Sequence, residues 1–293
     1  MTNTVIDVSP YTLHLASHWV SMCRIMLYLS YNLFPGDDRM TKSELQKKWQ
    51  LLHNSPELRD CLRPEIRDSW DRSYERGIDP HILENPYVCT ESELAKARIY
   101  SNYLLEKSEP IMEHLHQFVT GQGMVIALTD PNLCVLKILG DSEALTWAKS
   151  AQLVEGSMWS EKLVGTNSGA LCEKTLKPES VFGYEHFCLF SNIAADSYAP
   201  IFHQGKICGG LSMISPYNLA RHHTLDMVVA ATKCIMSKLY LETLERINQD
   251  YKTVMQSMCE GILILDSGSN VAYINDSCVR LLQLQLPQQS ILG

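Results

Sequence analysis

Apolar residues recur at helical spacing after Met40. Leu45, Trp49 and Leu52 step by four and three positions, which is typical of a helix with one buried face. Ser43 and Gln46, just before this face, have the spacing of a capping box. Prolines and glycines interrupt the helical pattern further on. The pattern predicts a helix after Met40, a second within 64–80, and a third helical region over 91–119 that is interrupted at Pro110.

Short apolar runs in the middle of the chain predict strands. The runs 124–129 and 135–139 flank Asp130-Pro-Asn132, a sequence typical of a turn, so we predict a hairpin there. A helix is expected over 142–151. Further strands are predicted at 180–182, 196–202 and 206–214, the last two joined by a turn over 203–205. Five or six antiparallel strands with helices before and after them make an α+β fold.

From Thr224 onward the spacing indicates one long helix. Its apolar positions step by three and four and, after a break in register between Leu239 and Leu244, resume as far as Met258. A helix this long exceeds what one domain needs, so we expect it to connect two domains and to pair with a second copy in a homodimer. Packing of its first half on the preceding sheet is equally expected. Beyond it, 261–266 and 271–275 predict a hairpin, and Asn275 is positioned to cap a short helix through Leu282.

Composition and charge narrow the classes of function. The chain has 293 residues, of which 45% are hydrophobic, enough for a sizeable core and more than one unit. A formal net charge of −8 argues against a nucleic-acid-binding surface, because the basic residues of 42–48 and 63–76 are interleaved with acids. The ten cysteines include no C-x-x-C pair, and no secretory signal is evident, so we expect a cytoplasmic protein with reduced thiols.

The apolar segment Leu13–Phe34 is not predicted to cross a membrane. It carries Arg24, and burying arginine at the bilayer centre costs roughly 2.5 kcal/mol or more. An amphipathic helix is expected there instead. Since the patterned sequence begins only after Met40, Met22 and Met40 are alternative start positions, and 1–39 is treated as an N-terminal extension.

Two segments carry the candidate chemistry. The first signature segment, 159–169, ends in Gly165-Thr-Asn-Ser-Gly169, which has the composition of a tight loop that begins a helix, with Thr166 or Asn167 as its cap. Free amides at such a helix start could hold a carbonyl, hydroxyl or carboxylate of a small ligand, or the loop could simply cap the helix over 170–174.

The second signature segment, 183–188, combines two aromatic residues with the ionisable pair Glu185 and His186. A histidine can donate or accept a hydrogen bond, so His186 suits recognition of a polar small molecule, although a core histidine bonded to backbone is an equal alternative. Trp159 is expected to form a pocket wall or to fill part of the core. The predicted ligand-binding residues are Trp159, Thr166, Asn167, Tyr184, His186 and Phe187.

Other chemistries have little support in the sequence. No G-x-S-x-G elbow, H-E-x-x-H motif or phosphate-binding G-x-x-x-x-G-K-[ST] loop is present, and no basic helix-turn-helix segment is found, so we predict no catalytic residues, no ATP binding and no cofactor. A metal site is not predicted either. Its weak candidate ligands, which lack metal-ligand spacing, are Cys172, His186, Cys188 and Cys208.

The signature segments, together with the I-x-x-S-W-x-R-S-x-x-x-G-x-D-P string over 66–80, resemble the GAF-type sensor region of sigma-54-dependent activators of the acetoin and dihydroxyacetone regulator group. The resemblance covers roughly 64–240, and 261–282 resembles the start of a PAS domain. It implies an N-terminal helical segment over 40–105, a GAF domain over 106–223, a signalling helix over 224–258 and an incomplete PAS domain over 259–293.

The resemblance also implies a function. A small metabolite would bind in the GAF pocket, and the signalling helix would bias an ATPase and a DNA-binding part expected beyond Gly293, which alone would contact ATP, DNA and the sigma-54 polymerase. Two alternatives stay open. Dihydroxyacetone regulators respond to kinase subunits, so the region could bind a protein partner. Some related GAF sensors bind iron or haem, so it could also sense redox state or a metal.

Overall fold

The computed structural model describes residues 40–221 and 223–284. The predicted extension 1–39, with its apolar segment and alternative starts, lies outside the described residues. The chain divides into two compact units, Met1–Met236 and Ser237–Gly293. Among the described helices, none has the length and apolarity that a membrane crossing requires.

Within the described residues, four α-helices and a short 3-10 helix, Pro56–Cys61, precede the sheet. The first begins with a capping box, but it is formed by Thr41 and Glu44 rather than by Ser43 and Gln46 as predicted: the Glu44 carboxylate accepts the Thr41 amide at 2.7 Å, and Thr41 Oγ1 accepts the Glu44 amide at 3.3 Å. Because the side chain of Glu44 bonds back to the amide of Thr41, the cap lies two positions before the predicted cap residue, Ser43. The helices are α1 Lys42–Asn54, α2 Pro64–Glu75, α3 Glu91–Tyr100 and α4 Asn102–Val119.

The predicted interruption at Pro110 is wrong. The helical region breaks at Ser101 instead, whose amide donates to Ala97 O at 3.0 Å as the end of α3, and Pro110 lies inside α4. Proline leaves the carbonyl four residues earlier without its donor. Here that carbonyl belongs to Glu106, and both Glu106 and Pro110 are solvent-exposed, so water can satisfy the carbonyl and the helix continues.

Five antiparallel strands form one sheet in the first unit, in the order β2-β1-β5-β4-β3. The predicted β1–β2 hairpin is confirmed, with Val125 opposite Gly140, and the α+β prediction is confirmed with it. Helices α4 and α5 pack on β1 and β2, and α7 packs on β3 and β4. The elements are β1 Val125–Thr129, β2 Val135–Gly140, α5 Ser142–Ser150, α6 Glu161–Val164, α7 Ser168–Thr175, β3 Glu179–Phe182, β4 Ala194–His203 and β5 Lys206–Pro216.

A helix of 34 residues, α8 Thr224–Ser257, follows the sheet, as its spacing predicts. In the second unit, β6 Leu263–Leu265 and β7 Val271–Ile274 form an antiparallel hairpin before α9 Asp276–Leu281. The predicted cap is confirmed, because Asn275 Oδ1 accepts the amide of Cys278 at 2.9 Å. The assignment of this unit to a PAS domain stays a prediction.

Candidate ligand cavity

A small cavity of about 50 Å³ lies between the sheet and the signature segments. This ligand cavity has room for roughly four water-sized groups. Strands β1, β2, β4 and β5 contribute to its wall, as do α5 and both signature segments. Most of the wall is apolar or aromatic, including Trp147, Leu153, Trp159, Phe190 and Ile214. A few polar groups therefore decide what the ligand cavity can recognise.

Asp196 on β4 is the carboxylate of the ligand cavity. Its Oδ2 accepts the amide of Ser168 at 3.2 Å, while Oδ1 is shielded from solvent and makes no hydrogen bond of acceptable geometry. The Ser168 hydroxyl lies beside the carboxyl group and also makes no hydrogen bond of acceptable geometry. Burial raises the pKa of Asp196 to about 6. This residue was not among the predicted site residues, although an acidic side chain within the otherwise apolar run of β4 is the kind of exception that marks a site.

His186 presents its ring to the same cavity. Its Nδ1 lies 3.0 Å from the carbonyl oxygen of Gly183, which can only accept, so we assign the hydrogen to Nδ1. Burial lowers the pKa of His186 to about 4, so the ring is neutral at pH 7 and its Nε2 is an acceptor. The wall of the ligand cavity thus includes a carboxylate, Asp196, and a neutral imidazole, His186, beside the hydroxyl groups of Thr129, Ser191, Tyr198 and Ser212.

The first signature segment reaches the ligand cavity through Trp159 and Asn167. The Asn167 side chain accepts the amide of Ala170 at 3.0 Å and donates to Trp159 O at 2.8 Å. Asp196 and Asn167 thus accept the amides of Ser168 and Ala170 at the start of α7, so these two amides are bonded within the protein. Gly169, which lies between them, lines the cavity, and binding of a ligand by an amide of this helix start stays a prediction. Trp159 forms part of the wall, and its Nε1 donates to Ser157 Oγ at 2.9 Å.

The other three predicted ligand-binding residues do not line this cavity. Thr166 Oγ1 donates to Ser69 Oγ at 2.8 Å, the Tyr184 ring lies 4.0 Å below Lys48 Nζ, and Phe187 is buried against aromatic rings of α1 and α2. For Phe187, the reason is the local backbone geometry. His186 is extended, and adjacent side chains of an extended chain point to opposite sides, so turning the His186 ring into the cavity turns Phe187 away from it.

The N-terminal helices α1 and α2 hold the second signature segment by its backbone. Trp49 Nε1 lies 3.1 Å from the carbonyl oxygen of His186 and 3.2 Å from that of Phe187. Trp70 Nε1 donates to the carbonyl of Glu185 at 2.8 Å. Both indoles are fully buried, so three consecutive carbonyls of the loop are satisfied by helices from another part of the chain.

Helix α2 also holds the first signature segment through a buried carboxylate. Glu161 accepts hydrogen bonds from Arg72 Nη2 at 2.6 Å, from Arg76 at 2.7 Å and from Ser69 Oγ at 2.6 Å. Its pKa is lowered, because these hydrogen bonds outweigh the effect of burial. This ion cluster was not predicted from the sequence, although Ser69, Arg72 and Arg76 lie three and four apart and so share one face of the helix.

A histidine joins the aromatic rings between these helices. His53 stacks on Trp70 with ring centroids 4.1 Å apart, and its Nδ1 lies 2.5 Å from the hydroxyl of Tyr74. Burial lowers the pKa of His53 to about 3, so it stays neutral at physiological pH. His53 is therefore a packing residue of this aromatic cluster.

The four weak metal-ligand candidates lie in separate surroundings. Cys172 packs with Leu133 and Tyr198, whereas the thiols of Cys188 and Cys208 point to backbone carbonyls of other residues. Within 40–221 and 223–284, no three His, Cys, Asp or Glu side chains converge to hold a metal ion. The redox or metal-sensing alternative therefore gains no support from these residues.

Comparison with known proteins gives three informative relatives. The chain is 28% identical over 186 residues to the acetoin dehydrogenase operon transcriptional activator AcoR of Bacillus subtilis, an overlap of 63% of this chain and 31% of that protein. It is 30% identical over 225 residues to a signal-transduction and transcriptional-control protein of Clostridium beijerinckii, covering 75% of this chain and 35% of the relative. With the PTS-dependent dihydroxyacetone kinase operon regulatory protein of Escherichia coli it shares 20% identity over 229 residues, 76% and 36% of the two chains.

The chain thus spans about a third of the length of these relatives. No family model matches it. Among solved structures, a chain of the E. coli DhaR(N)–DhaL complex has a TM-score of 0.68 and 19% identity, and the match covers 76% of this chain and 77% of that one. At this identity the match shows a shared fold.

Proposed function

We propose, from its relationship to transcriptional activators of acetoin and dihydroxyacetone operons, that this chain is the signal-sensing region of a bacterial sigma-54-dependent transcriptional regulator. In this proposal it has no catalytic activity. A GAF domain binds a small metabolite in the ligand cavity, and α8 transmits the signal to an ATPase and a DNA-binding part beyond Gly293.

The unpartnered Oδ1 of Asp196 carries the proposal of ligand binding. A buried polar atom without a partner costs about 1–3 kcal/mol, and a ligand hydroxyl or amine that donates to it recovers that cost. His186 Nε2 offers a second acceptor. The expected ligand is therefore a small alcohol, hydroxyketone or amine that donates hydrogen bonds, whereas the charge of Asp196 disfavours carboxylates.

The path of the signal is part of the same proposal. The His186 ring borders the ligand cavity, and the backbone carbonyl of the same residue accepts from Trp49 on α1. A ligand that displaces the backbone of His186 would also move this carbonyl, and ligand binding and docking of α1 would then be energetically coupled. Binding would then act by a population shift between two arrangements of the loop and its helices.

Asp196→Asn provides the test. A raised pKa means that the ionised carboxyl destabilises the folded state, and this penalty grows as the pH rises from the unfolded pKa of about 4 to the folded pKa of about 6. Asparagine removes it, so we expect the variant to gain on the order of 2 kcal/mol at pH 7 and its melting temperature to rise by roughly 4–8 °C. The asparagine side chain would present its NH₂ group, a hydrogen-bond donor, to the ligand cavity in place of an acceptor oxygen. Ligands that stabilise the native chain should therefore no longer raise the melting temperature of Asp196→Asn.

The measurement is a thermal-shift screen of the full chain with small alcohols, ketones and amines, repeated on Asp196→Asn. Asp250→Asn, an exposed position on α8, is the control and should keep both the native stability and the ligand response. A compound that stabilises the native chain and Asp196→Asn equally would show that its site lies elsewhere.

A protein partner is the second candidate for the signal. Two observations favour it: the ligand cavity is small, and the solved chain with the same fold was crystallised as a complex with DhaL. Regulation by a protein would place recognition on the surface of the first unit. If no small molecule shifts the melting temperature while Asp196→Asn still gains stability, the partner proposal is favoured over the metabolite.

Homodimer formation through α8 is also proposed. In the second unit, apolar residues that are 41–65% exposed step by three and four, as in the seam of a two-stranded coiled coil. They are Leu244, Ile247, Tyr251, Val254 and Met258. A second copy of this chain would cover the stripe.

The double variant Ile247→Asp/Val254→Asp is expected to dissociate the dimer. Each position loses an aliphatic contact worth about 1.5–3 kcal/mol when buried, so the dissociation constant should rise by at least roughly 100-fold. Sedimentation equilibrium measures this change, with Asn248→Asp as the control at a neighbouring exposed position. A native chain that sediments as a monomer at high micromolar concentration would refute the dimer.

A further inference from the structure

A second pocket, of about 380 Å³, shares no lining residue with the ligand cavity. Cys89 and Cys134 both line it, and their sulfur atoms are 3.7 Å apart. Cys89 is half-buried and Cys134 is buried. Ser160 lines the same pocket and is 8% exposed, and its Oγ has no hydrogen-bond partner within the protein. The pocket therefore holds a pair of adjacent thiols beside an unsatisfied buried hydroxyl.

The two cysteines are free thiols that lie close together without being bonded as a disulfide. The segment 156–158 runs between them: the Cys89 amide donates to Gly156 O at 2.8 Å on one side, and Cys134 forms a β-bridge with Met158 on the other. A disulfide needs its sulfur atoms about 2.05 Å apart, so forming one would require the two sulfurs to approach each other by about 1.6 Å from their 3.7 Å separation.

We infer that Cys89 and Cys134 form a dithiol site for a soft, thiolate-preferring metal ion of the Zn²⁺ and Cd²⁺ class. Two thiolates bound at about 2.3 Å to one tetrahedral ion stand about 3.8 Å apart, which matches the observed sulfur separation. The ion would bridge the thiols without drawing the backbones together. Its remaining positions would be filled from the open pocket by water, with the Ser160 hydroxyl available as an oxygen donor.

Binding converts two thiols and one divalent ion into a neutral metal dithiolate and releases two protons. This neutral product suits a buried position, because the ion compensates the charge of both thiolates. With two protein ligands, the affinity should be lower than that of a four-ligand structural zinc site. The site would consequently respond to changes in the supply of soft metal ions rather than hold one permanently.

Cd²⁺ is the probe for the test. The full chain is reduced, kept free of oxygen and titrated with Cd²⁺ while the thiolate-to-metal charge-transfer absorption is recorded. We expect one site whose affinity falls at least about tenfold in Cys89→Ser and in Cys134→Ser, because even residues that only support a metal ligand typically contribute that much. Cys234→Ser, at an exposed position, should bind Cd²⁺ like the native chain.

Phenylarsine oxide provides the second measurement, because its stable adducts need two neighbouring thiols. Native mass spectrometry should find one adduct on the native chain that is lost in either serine variant. The half-buried position of Cys89 keeps the test valid if Cys134→Ser does not fold. Unchanged Cd²⁺ affinity in Cys89→Ser would overturn the inference.

Discussion

Gly165→Ala is expected to cost the protein about 2–5 kcal/mol of its free energy of unfolding. Gly165 has φ 65° and ψ −148°, a backbone conformation that is essentially restricted to glycine. A Cβ added there would also lie 2.6 Å from the Cβ of Phe187, which is fully buried and cannot move aside. Backbone strain and overpacking therefore add at one position. Chemical denaturation followed by intrinsic tryptophan fluorescence measures the loss.

The control for this substitution is Gly77→Ala. Gly77 also has a positive φ, of 70°, but a Cβ there would meet no atom within 4 Å, so the variant should lose only the backbone contribution of about 1 kcal/mol. The difference between the two variants contains the contact between the signature segments together with any additional backbone strain at Gly165. Equal losses at both positions would mean that Phe187 does not confine Gly165.

Glu161→Ala is expected to cost about 2–4 kcal/mol and to loosen α2 from the first signature segment. The Glu161 carboxylate is almost fully buried, and alanine would leave Arg72 and Arg76 facing each other without an anion. Both arginines are about a third exposed, which allows water to offset part of the penalty and keeps the expected loss below that for a fully buried pair. Hydrogen exchange of the α2 amides should accelerate together with the loss of stability.

The same cluster predicts a pH dependence. The folded pKa of Glu161 lies below its unfolded value, so the carboxylate contributes stability above the unfolded pKa of about 4.3, and this contribution is lost as the pH falls through the folded value. In Glu161→Ala, the free energy of unfolding should therefore fall less steeply than in the native chain as the pH is lowered. Asp60→Ala, which breaks the exposed pair with Arg67, should change the free energy of unfolding by less than about 0.5 kcal/mol. A Glu161→Ala variant as stable as native would show that the cluster does not hold α2.

Together these contacts explain why the 66–80 string and the two signature segments belong to one structure. The 66–80 string supplies Trp70 and Arg72, which hold the second and first signature segments respectively. The signature segments in turn contribute Asn167 and His186 to the wall of the ligand cavity. In our proposal, the three segments therefore connect the ligand cavity to the helices whose arrangement changes when a ligand binds.

Local elements were largely predictable from the sequence. The β1–β2 hairpin and the Asn275 cap depend on residues within a few positions of each other, so their spacing is visible in the chain itself. The break between α3 and α4 was misplaced because proline tolerance depends on whether the carbonyl before it faces water, which only the packed helix reveals. Asp196 was not predicted for a similar reason. It stands out because its Oδ1 lacks a hydrogen-bond partner, and only the folded structure shows that.

The sequence by itself determined most of the helices and strands, the α+β class, and the segments that surround the ligand cavity. Only the tertiary structure decided which residues of those segments face the ligand cavity. That choice depends on bonds between distant positions: Trp49 reaches His186 across 137 residues, and Trp70 reaches Glu185 across 115. The periodicity of the sequence indicates which face of a helix or strand a residue lies on. The residue that it contacts across that face is determined only when distant parts of the chain come together in the folded protein.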